Sequence, residues 1–162
     1  MSQSLDRSAL DALGTRWEAA WTRGEGFSSC CTADIRYEDP VAHEPIQGLD
    51  ALEAHAAQVR HGFPDLRLEP TAARLTSGTH ACLPWRVLGT HRGDLPSLPA
   101  SRRFVILHGL HYVELEDDNI RRARGFFDLY DAGVQLGLLP PRGGLGETAL
   151  LLLRGFGLRP KG

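Results

Sequence analysis

Cysteine, lysine and long apolar runs are all scarce in this chain, and each scarcity removes a class of protein. Three cysteines (Cys30, Cys31 and Cys82) stand among 162 residues, too few for the disulfide framework of a small secreted domain. The first two are adjacent, a pair that rarely bridges. The longest apolar run, Ala149 to Leu153, is far shorter than the ~18 residues a membrane span requires. Met1 to Asp6 holds no basic segment leading into an apolar core, so it is no secretory signal. The cytoplasm is the expected compartment and no membrane partner is expected. The net charge of −2 offers no electrostatic footprint for nucleic acid. Lysine occurs once, at Lys161, against 17 arginines. That imbalance reads as high-GC coding rather than a phosphate-binding device. Arg121, Arg122 and Arg124 read as a solvated strand edge. No internal repeat or low-complexity tract is visible.

What is present is an ordinary globular composition, 42% hydrophobic and 23% charged, in a length that makes one domain with a real core. Leu5, Leu10, Leu13, Trp17, Ala20 and Trp21 recur at helical spacing between Ser4, a candidate cap, and the stop Gly24-Glu25-Gly26. Phe27 to Ala33 reads as a second short helical piece that carries Cys30 and Cys31, an inert buried thiol pair. Ile35 to Asp39 alternates as a strand and stops at Pro40; Val41 to Gln47 is a loop closed by Gly48. Asp50 caps a helix to about His61, with Leu52, His55, Ala56 and Val59 on one face. Phe63-Pro64-Asp65 reverses the chain. Leu66 to Leu75 is a strand pair or one interrupted strand, followed by a turn at Ser77 to Thr79.

Three strand-like runs follow: Cys82 to Thr90, Arg103 to Leu115 and Ile120 to Phe127. The turn Glu116 to Asn119 is rich in residues that tolerate left-handed backbone. Asp128 opens a last short helix to Leu138, with its carboxylate as the N-cap. The fold class is therefore α+β: a curved antiparallel sheet forming a cone around a small-molecule pocket, with the N-terminal helices closing one side. Residues 1–140 form the domain and 141–162 a C-terminal extension.

Strand parity sorts the chemistry. His111 shares a face with Val105, Leu107, Gly109 and Val113, whereas His108 points the other way. A lone imidazole on an apolar inner face is either a general base near neutral pH or a hydrogen-bonded core histidine. Two histidines of opposite parity cannot chelate one metal, and no third ligand has metal-site spacing. Trp85, Val87, Gly89 and His91 share another face, with Arg86 on its reverse. Trp85 either stacks on an aromatic ligand or packs the core. Tyr37 and Asp39 alternate on one face: the phenol is an enolate donor or a packing aromatic, and the carboxylate a catalytic group or a turn residue bonding backbone.

Tyr37-Glu38-Asp39-Pro40, Gly48 opening a helix, Phe63-Pro64-Asp65, Gly89-Thr90-His91-Arg92-Gly93, Asp128-Leu129 and Gln135 to Pro140 follow one another in an order and spacing that resembles the SnoaL-like polyketide cyclases. These belong to the wider nuclear-transport-factor-2-like fold, and the likeness runs from about residue 5 to 140. It implies an enzyme without metal or organic cofactor. Such cyclases close a ring on a polyketide by intramolecular aldol condensation, with an Asp on the last strand as acid/base and a His on the preceding strand assisting. His111 falls at the His position, but Gly125 falls at the Asp position. Gly125 opens space there, and Asp39 is a candidate relocated carboxylate.

Two functions follow as expectations. The first is acid/base cyclisation or isomerisation of a hydrophobic carbonyl compound, a lyase or isomerase activity, with His111 and Asp39 catalytic. Tyr37, Phe63, Trp85, His91, Gly125 and Phe127 would bind the substrate. The second is a non-catalytic domain that holds a hydrophobic ligand, or a relative of the epoxide-hydrolase or ketosteroid-isomerase type. Either is compatible with a homodimer formed through the open sheet face near His108, Leu110 and Tyr112.

Overall fold

A computed structural model describes residues 5–154, apart from Ser97. The first helix, α1 (Arg7–Arg23), starts where the Asp6 carboxylate accepts the Ala9 N–H at 2.8 Å, and ends on Gly24 with left-handed backbone. Asp6 takes the cap role expected of Ser4, which lies outside the described residues. A single 3₁₀ turn spans Phe27–Ser29, and the chain then enters strand β1 (Cys31–Glu38). The helical reading of Phe27 to Ala33 is therefore corrected from Cys31 onward. Cys31, Ile35 and Tyr37 are buried on the strand's inner side, a pairing-driven choice that short-range propensity does not register.

The short strand β2 (Ile46–Gln47) precedes α2 (Leu49–Gly62), whose N-cap is Gly48, with Asp50 in the first turn rather than at the cap. Then come β3 (Arg67–Pro70), β4 (Leu75–Ser77), β5 (His80–Thr90), β6 (Phe104–Glu116) and β7 (Asn119–Phe127). Helix α3 (Leu129–Gln135) is shorter than expected; the Asp128 carboxylate caps it through Asp131 N–H at 2.9 Å. Helix α4 (Leu145–Leu153) buries none of its residues.

One seven-stranded sheet runs β2-β1-β7-β6-β5-β3, with β4 paired to β5. It is curved and unclosed. It is also mixed, which corrects the all-antiparallel expectation: β1 lies parallel to β7, with an irregularity between Cys31 and Arg36. Strands β6 and β7 form a hairpin across Asp117 and Asp118, both at positive φ (46° and 62°), the twist that two-residue hairpin loops require. Because β7 sits between β1 and β6, its arginines are not an edge. Arg122 and Arg124 pair with Glu38 of β1, and Arg122 also approaches Glu114 of β6 at 3.5 Å.

The core lies between the inner face of the sheet and α1 and α2. Leu10, Leu13, Trp17, Phe27, Ile35, Leu52, Val113 and Ile120 are almost wholly enclosed. Two tethers hold the helices over the sheet. Arg60 of α2 donates to the Ala20 and Trp21 carbonyls at the end of α1. Arg74 reaches Asp11 and Glu18 of α1 at 3.0 and 2.7 Å. The first tether matters to the site, because it locks Trp21 against the helix that carries His55.

Candidate functional site

Register brings the site together around Gly125. In the β6–β7 hairpin His111 stands directly opposite Gly125. On the other side, the parallel pairs Tyr37 with Ala123 and Glu38 with Arg124 carry the chain so that Asp39 arrives beside Gly125. A Cβ on Gly125 would lie 3.1 Å from the Tyr37 hydroxyl, 3.4 Å from the Asp39 Cβ and 3.4 Å from the His111 Cδ2. Three of the expected residues thus border the fourth. The room left by glycine is little more than a methyl group, which corrects the expectation that a larger ligand gains space at this position.

His111 is 4% exposed and enclosed by aromatic rings. The centroids of Trp17 and Trp85 both lie 5.3 Å from its ring, Tyr37 6.1 Å, and Trp21 stacks nearly parallel at 6.2 Å. The indole N–H of Trp17 donates to His111 Nδ1 at 3.1 Å. An indole nitrogen only donates, so Nδ1 is unprotonated and the ring proton is on Nε2. Nε2 is bonded to Cδ2, the atom nearest the Gly125 notch. Burial pushes the His111 pKa down to about 3, although the Asp39 charge opposes it. His111 is therefore a neutral hydrogen-bond donor at ordinary pH, which favours the hydrogen-bonded alternative over a general base near neutral pH.

Asp39 closes the group. Its Oδ1 accepts the N–H of Val41 and Ala42 at 2.8 and 2.7 Å, the turn role that its position before Pro40 suggests. Its Oδ2 meets His55 Nε2 at 3.1 Å. Burial would raise this carboxyl, but the hydrogen bonds from His55 and the two amides outweigh it and hold it below its ordinary value. Burial, reinforced by the Asp39 charge, holds the Tyr37 phenol well above its ordinary range. One anion, a neutral phenol and a neutral imidazole therefore share an apolar cage. The indole N–H groups of Trp21 and Trp85 are buried with no hydrogen-bond partner among the described residues.

Trp85 sits on the inner face, with its ring directly over Gly109, where a Cβ would meet it at 2.6 Å. Phe127 lies 6.1 Å from Trp85. Phe63 and His91 instead pair with each other, stacked at 5.2 Å, at the far end of β5 from Trp85. His91 Nδ1 accepts the Ser101 N–H at 3.0 Å and so fixes the loop before β6. Sequence reasoning did not single out Trp17, Trp21 or His55 as part of the site. A histidine on the buried stripe of α2 was the available signal for the last of these. Among the described residues, no group of three His, Cys, Asp or Glu side chains is set to hold a metal ion, and no helix is long and apolar enough to cross a membrane.

The model of the SnoaL-like polyketide cyclases matches residues 11–136. The chain belongs to that family. No curated protein sequence matches it. Among solved structures, this SnoaL-like chain is similar to a protein from Jannaschia sp. CCS1 assigned to the SnoaL-like polyketide cyclases, at 19% identity and a TM-score of 0.74, covering 87% of this chain and 99% of the other. TsrD from Streptomyces laurentii is similar at 23% identity and a TM-score of 0.74, covering 83% and 99%. A Catenulispora acidiphila protein with a ketosteroid isomerase-like fold, solved with trimethylamine, is similar at 18% identity and 0.64, covering 78% and 92%. At these identities the structural likeness carries the fold, and the SnoaL-like family model carries the membership. The cone-shaped α+β architecture is thus that of the nuclear-transport-factor-2-like proteins.

Proposed function

We propose that this protein is a cofactor-independent enzyme that moves a proton on a hydrophobic, carbonyl-bearing small molecule, of polyketide type, and so closes a ring or isomerises it. The observation that supports this most is His111, whose neutral Nε2–H lies by the Gly125 notch, beside Tyr37 and Asp39. Removing a proton next to a carbonyl needs a base and a donor for the enolate oxygen. A neutral imidazole in an apolar cage is a strong donor, because nothing nearby solvates the developing charge in its place. Tyr37 is the second donor, and the aromatic walls of Trp17, Trp21 and Trp85 suit a flat ligand. The unpartnered N–H groups of Trp21 and Trp85 favour a ligand rich in acceptor oxygens. Phe127 extends the wall beyond Trp85, while Phe63 and His91 stay with the loop they support.

The test is proton exchange. Hydrophobic 1,3-dicarbonyl compounds are incubated with the protein in D2O and followed by proton NMR. Catalysed loss of the α-proton signal is the expected result. A compound that binds without any acceleration of exchange would favour the second reading, a binding domain without turnover. That reading draws on Gly125 standing at the family's Asp position.

We also propose a homodimer formed through the outer face of the sheet. Phe104, Ile106, Tyr112 and Phe126 are all at least 40% exposed there, a contiguous apolar patch of the kind that marks interfaces. Sedimentation of wild type against Phe126→Asp reads it: a dimer that the variant splits is the expected result. The segment 141–162 is an extension outside this domain. The three free thiols, Cys30, Cys31 and Cys82, fit a reducing compartment such as the cytoplasm.

A further inference from the structure

Asp39 is a weak candidate for the base itself. Its low pKa is that of a carboxylate whose lone pairs are committed: two backbone amides hold Oδ1 and His55 holds Oδ2. The proton acceptor is better sought one bond further out.

An ionised carboxylate can only accept. The hydrogen bond at 3.1 Å between His55 Nε2 and Asp39 Oδ2 therefore places the proton on Nε2 and leaves the lone pair of a neutral ring on Nδ1. Among the described residues no hydrogen bond occupies that Nδ1. His111 shows the reverse tautomer, with Nδ1 occupied by Trp17. The two imidazoles border the same pair of rings: Tyr37 lies 5.9 Å from His55 and 6.1 Å from His111, and Trp21 lies 5.9 and 6.2 Å from them. His55 is also the more accessible partner of its pair, with 17% of its side chain exposed against 5% for Asp39. A base oriented through its other nitrogen by a buried carboxylate is the arrangement that activates histidine in acyl-transfer enzymes.

We propose that His55 is the general base of this site and that Asp39 is its positioning residue, an assignment that rests on the proton-transfer reading above. The step balances without a co-reactant. The α C–H bond breaks and its proton goes to His55 Nδ1. The electron pair enters the enolate, whose oxygen accepts the His111 Nε2–H bond. The imidazolium left on His55 is paired with Asp39 until it returns the proton, to the new alkoxide in ring closure or to carbon in isomerisation.

Two measurements test it. Nitrogen-15 NMR of the purified protein reads the His55 tautomer independently of turnover. A protonated Nε2 and bare Nδ1 are expected, and a proton on Nδ1 overturns the assignment whether or not the protein is active. The second is α-proton exchange of a hydrophobic 1,3-dicarbonyl probe by His55→Gln and His55→Ala. Gln keeps an N–H for Asp39 and so preserves the fold, yet has no basic nitrogen. Exchange should fall by about 10²-fold or more in both variants, and added imidazole should restore part of it in His55→Ala. Variants that keep exchange within about threefold of an active wild type overturn His55 as base while leaving the enzyme reading intact. A wild type without exchange sinks both, and is recognised by the wild-type reaction alone.

Discussion

Trp17 Nε1 donates to His111 Nδ1 at 3.1 Å across the core, from helix α1 to strand β6. This one bond decides what the histidine does. It fixes the tautomer and points the remaining N–H away from α1, and it does so inside a cage that keeps the ring neutral. Trp17→Phe keeps the aromatic packing and deletes the donor. A buried acceptor without its partner costs about 1–3 kcal/mol, so urea unfolding should show a loss of that size with an unchanged slope. Nitrogen NMR should show the His111 tautomer no longer confined to Nε2–H.

The neutrality of His111 makes stability depend on pH. In the unfolded chain the ring takes up a proton near its ordinary value of 6.5, and in the folded chain only near 3. Between those values the unfolded state holds a proton that the folded state lacks, so stability is full above about pH 6.5 and falls as the pH drops toward 3. The slope approaches ~1.4 kcal/mol per pH unit. Equilibrium unfolding of wild type and His111→Gln at pH 7.0 and 5.0 reads it: the wild type should lose about 2 kcal/mol more than the variant.

Restoring the family's carboxylate should not restore its chemistry. Gly125→Asp places a Cβ within 3.4 Å of Asp39 and His111 and 3.1 Å from the Tyr37 hydroxyl, and adds a second negative charge to an apolar cage. Overpacking of this kind costs about 1–3 kcal/mol, and like charges at contact add to it. The variant should melt lower than wild type and exchange α-protons no faster. Gly125→Ala should show the packing cost without the electrostatic one.

The wider lesson concerns which relations a sequence exposes. Alternation along β6 and β5 correctly put His111 and Trp85 inside and His108 and Arg86 outside, because side-chain direction in a strand is a local property. The turn at Asp117-Asp118 and the cap at Asp128 were legible for the same reason. What decided the site was pairing. Asp39 reaches Gly125 only because β1 runs parallel to β7 with an irregularity after Cys31, and no local pattern announces a parallel partner 80-odd residues away. The same pairing turned Cys31 to Ala33 from expected helix into strand. Trp17 and Trp21 looked like core stripe on α1, which they are; that one of them also sets a tautomer requires knowing what faces it. His55 was visible on the apolar side of α2, but its partner Asp39 lies on another element.

Asp39→Asn tests the link between the turn and the site. The amide can still accept the Val41 and Ala42 N–H bonds, so the loop should hold, but the charge that orients His55 is gone. A drop in exchange rate on the order of 10²-fold, with a melting temperature close to wild type, is the expected outcome. It is read by proton NMR beside a thermal melt.

The most direct test of the whole account is the α-proton exchange of a hydrophobic 1,3-dicarbonyl probe in D2O, catalysed by dialysed, chelator-treated wild type and by His111→Ala, both checked for folding by circular dichroism. The account predicts clear acceleration by the wild type and a loss of about 10²- to 10³-fold in the variant, the size expected for one donor to a developing oxyanion. Equal rates for the two folded proteins, or no acceleration by the wild type, would contradict it.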